Sequence, residues 1–369
     1  MASALTVFAG ALAVVCLSGC ANLGYYWQSV TGHVKVMNAA RPVQDWLGDS
    51  ATPTTMRERL ELSQRIRAFA SKQLALPDNP SYTRFADLQR RSVVYNVVAA
   101  PALSLQLKTW CFAVVGCVSY RGYYDEAEAK ALGESLKGEG WEVSVYGVPA
   151  YSTLGYLNWA GGDPLLNTFI TYPEGELARI IFHELAHQVL YVKDDTMFNE
   201  SFATAVERLG GQRWLEQRGS DAARAEYAAF DARRKQFRAL TLRTRERLAR
   251  VYKDNSVLAG IKPAQAATES IANTDAQQQA KDAVMRQLRE EYAQLKASWS
   301  GFAGYDAWIE RANNASLGAL AAYDELVPAF EALFEREGRD FAKFYDAVQR
   351  MVPLPKDQRR QKLMETPRG

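Results

Sequence analysis

The sequence predicts an α+β protein, with a mixed sheet over one buried helix and a mainly helical C-terminal lobe. Three observations predict it. Between positions 93 and 148 lie valine-rich runs of strand length separated by turns. Positions 173–190 are apolar nearly all round at helical length, as expected of a helix inside a core. After Gly211 the chain mixes Ala, Arg, Glu and Leu at helical spacing almost to its end. With 369 residues, 48% of them hydrophobic, the chain can bury a good core. A net charge of +2 argues against a nucleic-acid binder or an acidic tail.

Residues 1–19 read as a signal segment. The apolar run 5–17 is too short to span a bilayer. It ends in Leu17-Ser18-Gly19-Cys20, which resembles the lipobox of bacterial lipoproteins, where the Cys is acylated and becomes the new N-terminus. The competing reading is an ordinary secretory signal or a buried apolar end. Ala21 rather than Asp after the Cys implies, by resemblance to Gram-negative sorting rules, the periplasmic face of the outer membrane.

Residues 20–50 read as a membrane-proximal tether and first helix. Tyr25, Tyr26 and Trp27 form either an interfacial cluster or ordinary packing, and packing is preferred. A helix is expected over 54–76, with Met56, Leu60, Ile66 and Phe69 on one face, and a break at Pro77-Asp78-Asn79-Pro80. Strands follow at 93–98, 103–107 and 112–118, then a helix over 125–137 and a strand over 142–148. The segment 150–157 has two readings of equal weight. One is an edge strand that lines a substrate cleft and binds peptide by strand addition. The other is a turn with Gly155 at positive φ. Beyond the lipobox Cys20, Cys111 and Cys117 are the only cysteines, and an oxidising compartment favours a disulfide between them. Residues 51–210 form the expected catalytic region and 211–369 the helical lobe. In that lobe, helices are expected at 221–253, 282–299, 314–337 and 340–351, with a loose connection over 255–280 and a frayed tail from Pro353.

The chemistry concentrates in 179–210. His183-Glu184-Leu185-Ala186-His187 is an H-E-x-x-H motif in a chain with only three histidines. Residues four apart share one helix face, so both imidazoles aim at one point. Such a pair with one more ligand suits a single zinc ion, whose open fourth position lowers the pKa of water there towards ~7. Glu184 stands beside that position as general base and acid. The third ligand is expected to be a carboxylate, because His33 is far upstream. The candidates are Asp194, Asp195, Glu200 and Glu207. Glu200 opens the next helix. Glu207, two turns on, is the fallback ligand or, preferably, a partner that supports a ligand.

These residues carry a resemblance. His183 to Gln188, followed by Asn199-Glu200-Ser201-Phe202-Ala203, is similar to the aminopeptidase N-like gluzincins. The resemblance implies a zincin-like fold, Glu200 as the zinc ligand and peptide as the substrate. Two departures stand out: the gap from His187 to Glu200 is shorter, and no G-x-M-E-N segment, which grips the substrate amine in those enzymes, appears upstream. Nearly the whole mature chain better resembles a bacterial family of predicted aminopeptidases with the same motif pair, through segments such as 24–33, 110–124, 150–157 and 313–334. The resulting expectation is a zinc-dependent peptidase of the cell envelope, an aminopeptidase by preference, held to the membrane through Cys20, with no protein partner inferable. The alternatives are a zinc endopeptidase and a non-catalytic zinc-binding lipoprotein. The family resemblance also calls for a tyrosine as oxyanion partner. It is expected among Tyr227, Tyr252, Tyr292, Tyr305 and Tyr323, with Tyr323 preferred.

Overall fold

The computed structural model describes residues 24–112, 116–253 and 263–365, with the side chains of 253, 263–273 and 322–324 excepted. The signal segment with Cys20, the stretch 254–262 and the Tyr323 side chain lie outside the described residues. The architecture is α+β, with many helices around small sheets.

The chain enters as helix α1 (24–39), followed by strand β1 (Arg41–Pro42) and the short helix α2 (Val43–Gly48). Helix α3 (Thr54–Leu74) follows, ending at Ala75 in the left-handed conformation. Strand β2 (Arg84–Ala86) pairs antiparallel with β1 and parallel with β8 (Leu165–Leu166).

The main sheet centres on β3 (Val94–Ala100). It pairs antiparallel with β6 (Arg121–Tyr123) on one side and β7 (Glu142–Val148) on the other. Both faces of β3 are covered, which is why it reads as a continuous apolar run rather than an alternating one. Val97 and Ala99 pack against helix α4 (Glu126–Gly138) through Ala129 and Leu136. Val98 and Ala100 meet Ala315 of helix α10 (Asn314–Asp324). Asp125 caps α4 by accepting from Glu128 N at 3.0 Å.

The expected strand at 103–107 is absent. Lys108 N donates to Ala99 O at 2.8 Å, so the chain loops back at once. Its leucines pack on helices instead: Leu107 lies against Gly318 of α10, and Leu105 joins the C-terminal cluster. The expected strand at 112–118 is a hairpin of β4 (Trp110–Phe112) and β5 (Gly116–Val118), with Cys111 opposite Cys117 and joined to it by a disulfide. Segment 150–157 is not a strand. Residues 154–157 form a turn with Leu154 and Gly155 at positive φ, so the turn reading holds, and β7 is one of the two edge strands of its sheet among the described residues.

Helix α5 (Glu174–Ala186) is the centre of the main core, its Leu177, Ile181, Phe182 and Leu185 fully buried. Phe182 stacks on Phe69 of α3 at 6.3 Å. Helix α6 (Thr196–Arg218) lies along α5 and contributes Phe198 and Phe202. Helices α7 (Asp221–Lys253) and α8 (Pro263–Ser298) pack together around Phe237, Leu240, Leu248 and Leu288. From Pro263 onward the expected loose connection is therefore helical. After α9 (Asp306–Glu310), the expected single helix over 314–337 is two, α10 and α11 (Val327–Arg336). Pro328 in the first turn of α11 supplies the break, since proline suits a helix start and disrupts an interior.

Helices α12 (Phe341–Gln349) and α13 (Lys356–Met364) complete the chain. The tail is docked rather than frayed. Leu363 is fully buried and the Arg359 guanidinium lies 5.2 Å from the Phe198 ring centre. The main core draws on α11–α13 as well as α3, α5 and α6, so it spans both sides of Gly211. All of the described core lies between Val36 and Leu363.

Candidate metal centre

The histidine pair stays in helical register across the end of α5. His187 follows the last helical residue but keeps right-handed helical angles, and its N donates to His183 O at 3.3 Å. The chain then turns sharply. Asn199 holds the turn from the far side: its Oδ1 accepts from Val192 N and its Nδ2 donates to Val192 O, each at 2.8 Å. Asp194 takes a positive φ, and Asp195 caps α6 by accepting from Phe198 N at 3.4 Å. Glu200, the fifth residue of α6, thereby swings towards the histidines.

Three donor atoms converge. His183 Nε2 lies 3.2 Å from His187 Nε2, and Glu200 Oε2 lies 3.4 Å from the first and 3.6 Å from the second. A tetrahedral zinc with ordinary bond lengths puts its ligand atoms about 3.4 Å apart, so the triangle fits such an ion. Two neutral imidazoles and a carboxylate are also a donor set that favours zinc. Among the described residues, His183, His187 and Glu200 are the one group with metal-binding geometry. Asp194 and Asp195 are not in it. Asp194 Oδ1 accepts from Cys117 N at 2.6 Å, tying the disulfide hairpin to this turn. Asp195 faces Arg359 at 3.6 Å.

Glu207 stands behind the triangle. Its Oε2 lies 3.0 Å from His183 Nδ1, and its other oxygen accepts from Arg179. That arrangement turns His183 Nε2 towards the triangle, and Glu207 itself is not one of the three converging residues. Glu207→Gln is expected to weaken zinc binding about 10- to 100-fold, read by competition with a chelating dye, without changing the stoichiometry. An unchanged affinity would remove Glu207 from the centre.

The electrostatics of the centre favour positive charge beside Glu200 and Glu207. Burial disfavours a charged His183, yet Glu200 and Glu207 raise its pKa well above the usual value. Burial likewise opposes ionisation of Glu207, but Arg179 and His183 bring its pKa down to about 2. Burial opposes ionisation of Glu200, and the two imidazoles hold it well below the carboxylate range. These carboxylates make a buried place for a cation, which a proton or a metal ion can fill. Glu184 lies outside the triangle. Burial raises its pKa, with the two imidazoles opposing.

His183, Glu184, His187 and Glu200 all line one cleft of about 600 Å³. One face of α5, from Glu176 to His187, forms its floor, and residues 148–152 form part of the facing wall. Gln188 ties floor to wall. Its Nε2 donates to Asp163 Oδ2 at 3.0 Å, and Asp163 in turn accepts from Thr153 N at 3.1 Å. Neither Asp163 nor Arg179 was identifiable from the sequence as a supporting residue, since each acts through a contact distant along the chain.

The expected downstream tyrosines are mostly engaged in packing. Tyr252 donates to Asn314 Oδ1 at 2.8 Å, Tyr305 stacks on Phe237 at 3.9 Å, and Tyr292 donates to Asp306 at 2.5 Å. Tyr227 packs near Arg179. The tyrosines that line the cleft are Tyr25, Tyr120, Tyr124, Tyr151, Tyr172 and Tyr191, and Tyr120 and Tyr191 are close enough to Glu200 to feel its charge.

Fold and site together define an α+β protein with a buried two-histidine, one-carboxylate centre at the floor of a cleft. A family model described as "Putative aminopeptidase" matches residues 24–363, and the chain belongs to that family. No curated protein and no solved structure matches the chain. The family's description supports a peptidase function in general terms.

Proposed function

We propose that this protein is a zinc-dependent peptidase with a zincin-like catalytic region, acting as an aminopeptidase in the cell envelope and anchored there through an acylated Cys20. The observation that carries the reading is the convergence of His183, His187 and Glu200 beside Glu184 on the floor of an open cleft. His183, His187 and Glu200 would hold one zinc ion. Bound zinc would polarise the substrate carbonyl and lower the pKa of the attacking water. Glu184 takes the proton of that water and returns it to the leaving amine. Glu207 and Arg179 keep the His183 ring oriented. The edge strand β7, whose last residue Val148 lines the cleft, suits a peptide laid along the wall. Tyr120 or Tyr191 suits the developing oxyanion better than Tyr227, Tyr252, Tyr292 or Tyr305.

One observation favours an endopeptidase as the second reading. The carboxylates lining the described cleft are Glu176, Glu184, Glu200 and Glu207. Glu200 and Glu207 face the histidines, and Glu184 is the base. Glu176 accepts from Arg234 at 2.6 Å and lies seven residues, about 10 Å of helix, before His183. None is free to grip an amine one residue from the scissile bond. Matched peptides with free and blocked N-termini, offered to the zinc-loaded protein, separate the readings. Cleavage confined to free N-termini is expected. Equal cleavage of blocked peptides would establish the endopeptidase. Cleavage of neither, with zinc bound, would leave a non-catalytic zinc protein.

A further inference from the structure

Helix α1 has an outward face that water alone does not explain. Its inner side packs through Tyr25, Gly32 and Val36, with Gly32 against the Tyr124 ring. The opposite side presents Trp27, Val30 and Val34, which are 71%, 59% and 46% exposed, with Tyr26 at its border. These positions follow helical spacing, so they make one stripe. Between Gly24 and Asn38 the only charged side chain is Lys35. A helix on the surface of a water-soluble protein normally turns charged residues outward.

A turn beside α1 extends the apolar character. His33 Nδ1 meets Tyr151 OH at 2.8 Å, and Gly161 lies against the Arg84 side chain with Met37 of α1 just beyond it. That turn exposes Trp159 and Tyr156, at 85% and 61%. The described residues have nine large hydrophobic side chains that are exposed, and six of them are on α1 or this turn. Chance scatter of surface hydrophobics does not concentrate them so.

We infer that the outward face of α1, with the Tyr156–Trp159 turn beside it, is a membrane-apposed surface that rests on lipid headgroups. This rests on the reading of Cys20 as an acylated anchor. Four chain steps separate Cys20 from Gly24, at most about 14 Å of extended chain. An acyl chain at Cys20 therefore holds the start of α1 at the bilayer surface. Trp and Tyr suit that boundary, because one end of each is apolar and the other polar. No helix of the described residues is long and apolar enough to cross a membrane, so the contact is a lying-on one. The consequence for the cleft is direct. Tyr25 and Ser29 of α1, Ser152 just ahead of the turn and Leu154 at its start line it. Its mouth is thereby held near the bilayer, where peptides of membrane-proximal chains are presented.

The test uses the chain from residue 21, which contains the whole described core. A histidine tag at its N-terminus is held by nickel-chelating lipid in phosphatidylethanolamine–phosphatidylglycerol vesicles. An environment-sensitive dye is attached at Val30→Cys, at Val34→Cys or, as a distant control, at Leu242→Cys. The first two dyes are expected to shift to the blue and to be quenched several-fold by bromine-labelled lipids, and the control to do neither. Dyes at Val30 and Val34 that stay in water on the tethered protein would overturn the inference. A blue shift that grows with protein concentration without lipid quenching would also overturn it, in favour of a second copy on this face. The chelating lipid supplies the tether whether or not cells acylate Cys20. Failure of the anchor reading would show separately, as absence of palmitate labelling that depends on Cys20.

Discussion

Glu184→Gln is expected to lower kcat for peptide hydrolysis by about 100- to 10,000-fold, the usual contribution of a positioned general base. Bound zinc should stay near one equivalent. The argument is geometric. Glu184 lines the cleft beside His183 and His187, but the converging donor atoms belong to His183, His187 and Glu200. Glutamine keeps the shape and the hydrogen-bonding oxygen and removes only the ability to take a proton. Steady-state rates and metal analysis of the same sample check both halves. Activity within tenfold of the parent would remove Glu184 as the base. Loss of the metal would make Glu184 a ligand instead.

Glu200→Ala is expected to weaken zinc binding on the order of a thousandfold, beyond the 10- to 100-fold effect of a supporting partner such as Glu207. Hydrolysis should vanish with the metal. Glu200 is buried, and its Oε2 closes the triangle at 3.4 and 3.6 Å from the two imidazole nitrogens. Alanine is a strong helix former, so α6 itself should persist. Metal content after dialysis is the first readout, and circular dichroism of the metal-free protein shows whether the helices remain. Stoichiometric zinc in this variant would mean that another carboxylate completes the centre, with Glu207 the next to test. Adding zinc in excess should restore some activity to Glu207→Gln but little to Glu200→Ala.

Elements set by local pattern were legible in the sequence. The helices α3, α4 and α7 fall close to where periodicity places them. Strand β7 falls on its expected residues. The same holds for the grouping of His183 and His187, since a spacing of four residues on a helix fixes their relation without any tertiary contact. The misses have a common cause. Leu103 to Leu107 are apolar because helices cover them, and pattern alone does not distinguish that from a strand. The tail from Pro353 looks polar, yet Leu363 and Arg359 dock it on the start of α6. The helical start of α8 was missed because its Ala and Gln favour a helix but too few large apolar residues stand there to mark a helical stripe.

The sequence by itself determined the chemistry on offer: two histidines and a glutamate on one helix, several carboxylates soon after, and two cysteines placed to pair. Tertiary structure alone decided which carboxylate meets the histidines. Helix α6 carries both Glu200, which is buried, and Glu207, which is partly buried. The turn clamped by Asn199 and capped by Asp195 sets the angle of α6 against α5. At that angle Glu200 reaches the Nε2 side of His183 and Glu207 reaches its Nδ1 side. A shift of two helical turns would bring Glu207 to the place of Glu200, and no local preference in the sequence forbids it. Packing of the two helices does, because Phe198 and Phe202 must remain in the core they share with Phe330 and Phe344.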